Sequence, residues 1–253
     1  MRNHSPALSL ALALSLALAL SLALALSLAL ALSLALALAA GPAQPGPWPR
    51  EAGTEFLSLS HSLTEDRGQP GRPVSGYSTL YAEYGLGAGL TLGLDAGRGD
   101  GRGDWTAVLF LRRALDAGHG RHRFAAELGL GGMGGAGKEP QPLLRPGLSW
   151  GRGLETVWGP GWANLDGFIV WVPGAGEAAL KADLTLGLKP GADRLFILQL
   201  QSGHYPGAAP YLRLSPAYVR RLGRDGPFLE IGLKAGLAGE ETLGLKLGLW
   251  RSF

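Results

Sequence analysis

The chain has 253 residues, of which 41 are glycine and none is cysteine, and its 23 Lys and Arg against 20 Asp and Glu give a formal net charge of +3. The absence of cysteine excludes disulfides, zinc–cysteine sites, iron–sulfur clusters and a cysteine nucleophile. The near-balanced charge does not favour nucleic acid as a partner, and so much glycine argues against a helical protein.

Residues 1–40 are predicted to be a signal peptide. Ala, Leu and Ser repeat from Ala7 to Ala40 after a basic Arg2, and Ala37-Leu38-Ala39 fits a small-residue cleavage site. The apolar run of roughly 34 residues is longer than the usual 7–15. An uncleaved anchor and a true start inside the repeat therefore stand as alternatives, and all three interpretations direct export.

Residues 41–50 are predicted to be a stiff, extended linker because four of the ten are proline. The folded part is expected to begin near Glu51, so that residues 51–253 form a single domain.

That domain is predicted to be all-β, because apolar residues alternate with Gly, Thr or charged residues in a series of short segments. Leu243-Gly244-Leu245-Lys246-Leu247-Gly248-Leu249 is one of the clearest examples. Tryptophans and a proline blur the sixth and seventh segments, so ten strands is an alternative to twelve. The twelve predicted strands lie near 54–63, 76–86, 88–96, 104–114, 122–131, 143–152, 161–172, 177–188, 193–202, 209–220, 226–236 and 241–253.

The connections favour an antiparallel transmembrane barrel. With the N-terminus in the periplasm, two outward connections, 64–75 and 132–142, are the longest, whereas the inner turns near 87, 190–191 and 224–226 are tight. Short inner turns and longer outer loops are typical of outer-membrane barrels. The segment 153–160, which predicts a long inner turn, departs from this pattern.

The C-terminal strand carries a resemblance. It ends in an aromatic residue and has apolar residues at alternate positions before it, which resembles the C-terminal signature of bacterial outer-membrane β-barrel proteins. In its general texture the whole chain resembles the small porin or transporter type among them, without identifying a subfamily. The matching residues are Leu243, Leu245, Leu247, Leu249 and Phe253. Arg251 departs from the signature, and Trp250 is assigned to the interfacial girdle. The resemblance implies a location in the bacterial outer membrane, contact with its lipid, and recognition by the outer-membrane insertion machinery.

If the leucine face contacts lipid, the opposite face lines the lumen. Seven positive and six negative side chains share that face, which predicts no strong ion selectivity. The candidate lumen-lining residues are Glu83, Asp95, Arg112, Arg123, Glu127, Arg145, Asp166, Lys181, Asp183, Arg213, Glu230, Lys234 and Lys246.

The function predicted from these features is a passive porin-like or transporter-like channel for a small solute, without catalysis, cofactor or metal. A closed structural barrel, a lipid-modifying enzyme and a soluble periplasmic β protein are the alternatives. His61 lies between two serines on the first strand, but adjacent strand residues point to opposite faces, so a catalytic partner would have to come from elsewhere.

Overall fold

The computed structural model describes residues 46–69, 71–101, 103–116 and 120–253, and the predicted signal peptide lies outside this part of the chain. Within the described residues, no helix is long and apolar enough to cross a membrane. The strands are β1 (Glu55–Asp66), β2 (Ser75–Gly87), β3 (Leu90–Gly99), β4 (Trp105–Ala114), β5 (His122–Gly135), β6 (Lys138–Thr156), β7 (Gly159–Val170), β8 (Ala179–Gly191), β9 (Arg194–His204), β10 (Tyr211–Arg221), β11 (Phe228–Ala238) and β12 (Thr242–Ser252).

These strands close into one antiparallel barrel. Each strand pairs with its neighbours in sequence, and β1 pairs with β12 to complete the ring. The closing pair runs without a shift from Phe56 opposite Ser252 to Asp66 opposite Thr242. The predicted all-β barrel of twelve strands is therefore confirmed, and the ten-strand alternative is wrong. Closure leaves no unpaired edge among the twelve described strands, which a barrel in lipid requires.

The alternation of the sequence sorts side chains between the outer wall and the lumen. Leu245, Leu247 and Leu249 of β12 are 59%, 57% and 46% exposed on the outside, whereas Lys246 between them reaches into the lumen and pairs with Glu230. Exposed leucine outside and buried charge inside is the reverse of a soluble protein and is the pattern of a transmembrane barrel. Phe253 follows the last residue of β12.

The two ends of the barrel differ. We call the end where β1 begins and β12 finishes the termini end, and the opposite end the loop end. Residues 88–89, 157–158 and 192–193 form two-residue turns at the termini end, which also has connections at 115–121 and 222–227. The loop end carries 67–74, 100–104, 136–137, 171–178, 205–210 and 239–241.

Two predicted connections are wrong. The expected loop at 132–142 is a tight hairpin, because β5 and β6 remain paired as far as Gly135 opposite Lys138. The expected long turn at 153–160 is also short, since β6 and β7 pair as far as Thr156 opposite Gly159. Glycine and proline suggested turns there, but the closed ring gives both segments strand neighbours that hold them extended.

Glycines on the lumen face leave space for aromatic side chains of the neighbouring strands. In four places a glycine lies directly opposite an aromatic residue of the neighbouring strand, and a Cβ on the glycine would overlap the ring. The pairs are Gly93 with Phe110, Gly147 with Phe168, Gly187 with Trp162 and Gly203 with Tyr211. This close packing accounts for part of the high glycine content.

Candidate functional site

Residues 46–50, which the sequence analysis assigned to a linker, lie inside the barrel; we call them the lumen segment. Gly46 lies against the side chain of Asn164, and Pro47 and Trp48 fill the space above Gly151, where a Cβ would collide with both rings. Pro47 is fully buried. The chain then leaves the lumen through residues 51–54 at the termini end and enters β1.

Polar contacts hold the lumen segment at both of its ends. The carbonyl oxygen of Gly46 accepts a hydrogen bond from Arg112 Nη1 at 3.1 Å. The backbone N–H of Arg50 donates to Thr91 Oγ1 at 3.0 Å, and the Arg50 guanidinium lies 2.6 Å from Glu83 Oε2. The segment is thus bound to the wall by side chains of β2, β3 and β4.

Glu83 is a buried carboxylate of the wall that three other residues contact. Its side chain is only 2% exposed and receives Arg50 on Oε2, while Arg112 Nη1 at 2.6 Å and the Tyr81 hydroxyl at 2.5 Å donate to Oε1. A buried carboxylate is costly unless it is paired and hydrogen-bonded. The lumen segment therefore supplies one of the partners on which the burial of Glu83 depends.

The ion pairs continue around the wall. Arg112 Nη2 lies 2.9 Å from Glu127 Oε2, Arg145 Nη2 lies 2.9 Å from Glu127 Oε1, and Arg145 Nη1 lies 2.5 Å from Asp95 Oδ2. With Arg50 and Glu83 these residues make three arginines and three carboxylates, so the group has no net charge; we call it the charge network. Five of its six members are predicted lumen residues, and Arg50 comes from the lumen segment.

An apolar cluster fills the opposite side of the lumen at the termini end. Trp162, Leu195, Ile197 and Val219 are buried there, and Trp48, Ala217, Phe228 and Trp250 pack against them. The indole N–H of Trp250 donates to Glu230 Oε2 at 2.9 Å. The expected place of Trp250 in an interfacial girdle is therefore wrong, because its position in the alternation of β12 directs it inward.

A cavity of about 850 Å³ occupies the half of the lumen at the loop end. Tyr77, Tyr205 and Tyr211 contribute to its lining, together with Lys181 and Arg213. The Tyr205 and Tyr211 rings are stacked with their centroids 6.4 Å apart. The lumen thus consists of a filled half at the termini end and an accessible half at the loop end.

The other predicted lumen residues are spread over this space in smaller groups. Lys246 lies 2.8 Å from Glu230, and Arg213 donates to both oxygens of Glu240 at 2.6 and 2.8 Å. Arg123 Nη1 lies 3.2 Å from Asp116 Oδ1 near the termini end. These contacts pair charges locally.

Four more of the predicted set lie in or beside the cavity. Lys181, Asp183 and Lys234 line it, and Lys234 Nζ donates to Ser62 Oγ at 3.1 Å. Asp166 lies directly opposite Asp183 across β7 and β8 and accepts a hydrogen bond from Asn164 Nδ2 at 2.6 Å. The structure therefore brings five of the thirteen predicted residues into the charge network and places Lys181, Asp183, Arg213 and Lys234 along the cavity.

Outside the lumen, His61 has a partner that the sequence analysis did not find. Ser78 of β2 lies directly opposite His61 of β1, and its Oγ is 2.9 Å from His61 Nδ1. The second ring nitrogen, Nε2, lies 3.8 Å from Asp100 Oδ2. Among the other histidines that the sequence contains, His122 Nδ1 accepts a hydrogen bond from Trp150 Nε1, and His119 lies outside the described residues.

Arg50, Tyr81 and Glu240 also contribute to the lumen, and they are not among the thirteen predicted residues. Tyr81 is two residues from Glu83 on one strand, so the same alternation that selected Glu83 points Tyr81 into the lumen. Arg50 and Glu240 lie outside the strands, where alternation gives no information about direction.

No family model matches the chain, and no curated protein matches it in sequence. Solved structures share its fold, among them a porin and an outer-membrane channel. The KdgM porin in complex with disordered oligogalacturonate superposes with a TM-score of 0.55 at 10% identity, over 78% of this chain and 99% of that one. An outer membrane channel from Pseudomonas putida F1 superposes with a TM-score of 0.54 at 14% identity, over 84% of this chain and all of that one. The chain therefore has the barrel fold of outer-membrane channels, and its leucine-covered wall belongs in that membrane.

Proposed function

We propose that the protein is a passive channel for small polar solutes in the bacterial outer membrane, and that the lumen segment closes it at the termini end. The observation that supports this proposal is the division of the lumen. A cavity of about 850 Å³ is accessible at the loop end, and the other half of the lumen contains a segment bound to the wall through the Arg50–Glu83 ion pair and hydrogen bonds to its backbone from Arg112 and with Thr91.

The charges of the cavity indicate the class of solute. Four basic and four acidic side chains line it, so neither sign dominates. Tyrosines and short hydroxyl side chains share the lining, which suits a small neutral or zwitterionic polar molecule. The basic residues are Arg145, Lys181, Arg213 and Lys234, and the acidic ones are Asp95, Glu177, Asp183 and Glu240.

The alternative is a closed structural barrel, and the filled half of the lumen favours it. Both functions require the same barrel, and they differ in whether the lumen segment can move out of the lumen. If it is permanently fixed, the termini end stays sealed by the segment and the apolar cluster.

Conductance in planar bilayers distinguishes the two. Chains comprising residues 41–253 and 51–253 would be refolded in detergent, and the heat shift on SDS gels would show that each forms a barrel. We expect the longer chain to open rarely and the shorter one to conduct steadily with little ion selectivity. No conductance from a folded 51–253 barrel would leave the structural barrel as the function.

Point variants provide the matched comparison. Arg50→Gln removes the ion pair to Glu83, whereas Arg72→Gln alters an exposed arginine in the 67–74 loop, 3.9 Å from Asp66. We expect only Arg50→Gln to raise the conductance of the longer chain.

We also propose the two predicted processing steps: cleavage after the signal peptide, and recognition of β12 by the outer-membrane insertion machinery. The leucines of β12 lie on the outer wall, where lipid and membrane proteins are accessible. Removing Phe253 should lower the amount of heat-modifiable protein in the outer membrane, as measured on gels of membrane fractions.

A further inference from the structure

The outer wall of the barrel brings together a serine, a histidine and an aspartate. Ser78 Oγ is 2.9 Å from His61 Nδ1, and His61 Nε2 is 3.8 Å from Asp100 Oδ2. Ser78 and His61 lie on neighbouring strands, and Asp100 lies in the connection 100–104 at the loop end. A hydroxyl bonded to an imidazole whose other nitrogen faces a carboxylate has the connectivity of a nucleophilic triad, here with Nδ1 toward the serine and Nε2 toward the carboxylate, the reverse of the serine protease arrangement.

Gly76 makes this arrangement possible. It lies on the same outer face, and a Cβ at this position would overlap the Asp100 carboxylate and come within 3.0 Å of His61 Cε1. The backbone N–H of Asp100 also donates to the carbonyl of Gly76 at 2.9 Å. The carboxylate therefore reaches the imidazole through a gap that a side chain would fill.

The neighbours of the triad suit a lipid. Arg98 lies opposite Ser78 on the next strand, and Trp105 lies opposite Arg98. Tryptophan favours the boundary between lipid and water, and arginine binds phosphate. On the other side of the triad, Leu247 lies opposite His61 and is 57% exposed.

Apolar side chains cover the outer wall beside the triad. Leu59, Leu63 and Leu245 of β1 and β12 are about half exposed on the same face. A phosphate held by Arg98 at the membrane boundary would place the acyl chains of its lipid along this leucine surface, with the ester bonds between them near Ser78.

We propose that this outer-wall site hydrolyses a fatty acyl ester of a phosphate-bearing membrane lipid, with Ser78 as nucleophile, His61 as general base and Asp100 as positioning residue. This activity is separate from the channel. It uses the outward faces of β1 and β2, whereas the channel uses their inward faces.

The reaction balances with water as the second substrate. Ser78 Oγ attacks the ester carbonyl while His61 Nδ1 takes the hydroxyl proton, and the C–O bond of the ester breaks as the lipid alcohol leaves with that proton. Water then attacks the acyl-serine and gives a proton to His61, which returns it to Ser78 as the fatty acid departs. Asp100 stabilises the imidazolium formed in each step, and its contact is expected to shorten with substrate bound.

The test is release of fatty acid by the full chain folded in detergent, with dioleoyl phosphatidylglycerol or lipopolysaccharide as the probe in mixed micelles. We expect the wild type to hydrolyse at least one of the two probes, and the preferred probe identifies the source of the lipid. Ser78→Ala and His61→Ala should each lower the rate by roughly 10²–10⁴-fold. Ser202→Ala, at an outward serine of β9 whose hydroxyl donates to the Ala182 carbonyl, is the control and should leave the rate unchanged.

Two further measurements separate catalysis from structure. A serine-reactive fluorophosphonate should add to the wild type at Ser78, as located by peptide mass spectrometry, and should not add to His61→Ala. Asp100→Asn and Gly76→Ala should lower kcat with little change in KM, because both act on the imidazole rather than on the lipid. A folded wild type that releases no more fatty acid than Ser78→Ala and takes up no label would overturn the proposal.

Discussion

Replacing Glu127 by alanine tests whether the charge network holds the barrel together. Glu127 accepts three hydrogen bonds, from Arg112 Nε at 3.2 Å, Arg112 Nη2 at 2.9 Å and Arg145 Nη2 at 2.9 Å. Its side chain is 1% exposed. Alanine would leave two buried guanidinium groups short of a partner, so we expect a large loss of stability.

The size of the loss follows from the partners that remain. Removing one member of a buried ion pair costs about 3–5 kcal/mol. Arg112 keeps Glu83, and Arg145 keeps Asp95, so the cost should lie at the lower end, about 3 kcal/mol. A domain of this size loses roughly 2–4 °C in Tm per kcal/mol, which predicts a fall of about 6–12 °C.

The assay is the temperature at which the folded band on unboiled SDS gels disappears, checked by tryptophan fluorescence in the same detergent. Glu127→Gln keeps one acceptor oxygen, so its Tm should lie between the Tm of the wild type and that of Glu127→Ala. Glu155→Ala, at an exposed carboxylate near the end of β6, should change Tm by less than about 2 °C. If Glu127→Ala melts within that same range, the charge network does not stabilise the barrel and the reasoning is refuted.

Three further changes probe other parts of the wall by the same melting assay. Gly187→Ala should destabilise the barrel by about 1–3 kcal/mol because the added Cβ would overlap Trp162. A Cβ added at Gly153 has no neighbour within 4 Å, so Gly153→Ala should leave the stability unchanged. Leu130→Lys, at a leucine 63% exposed on the outside, should cost up to about 2–4 kcal/mol when the protein folds into lipid vesicles, and Leu130→Ala much less. Trp250→Phe should cost about 1.5–3 kcal/mol through its lost bond to a buried carboxylate; no change in Tm would show that this bond is not stabilising.

The strands and the direction of their side chains could be predicted from the sequence because both depend on a local period of two. In the seven residues from Leu243 to Leu249, the alternation alone shows which side chains face lipid and which face the lumen. The same rule places Trp250 in the lumen. A place in the interfacial girdle is wrong because the position of Trp250 in the alternation, and not its residue type, sets the direction of its side chain.

The contacts between distant residues could not be predicted. Arg50 reaches Glu83 because the chain turns back at residues 51–54. A proline-rich sequence predicts that a segment is stiff, but it does not predict where that segment lies. The pairing of Ser78 with His61 depends on the register of β1 against β2, since a shift by one residue would send the two side chains to opposite faces. The missing information was therefore the path of the lumen segment for the Arg50 contact, and strand register for the outer-wall triad.

The four glycine–aromatic pairs have an evolutionary consequence. Each ring occupies the volume that a side chain on the opposite glycine would need, so neither position can change freely while the other is kept. Gly93 could gain a side chain only after Phe110 had become smaller, and Gly187 only after Trp162 had become smaller. Related barrels that diverge from this one should therefore exchange these residues as coupled pairs, with the order of substitution constrained: the ring must become smaller before the glycine is replaced.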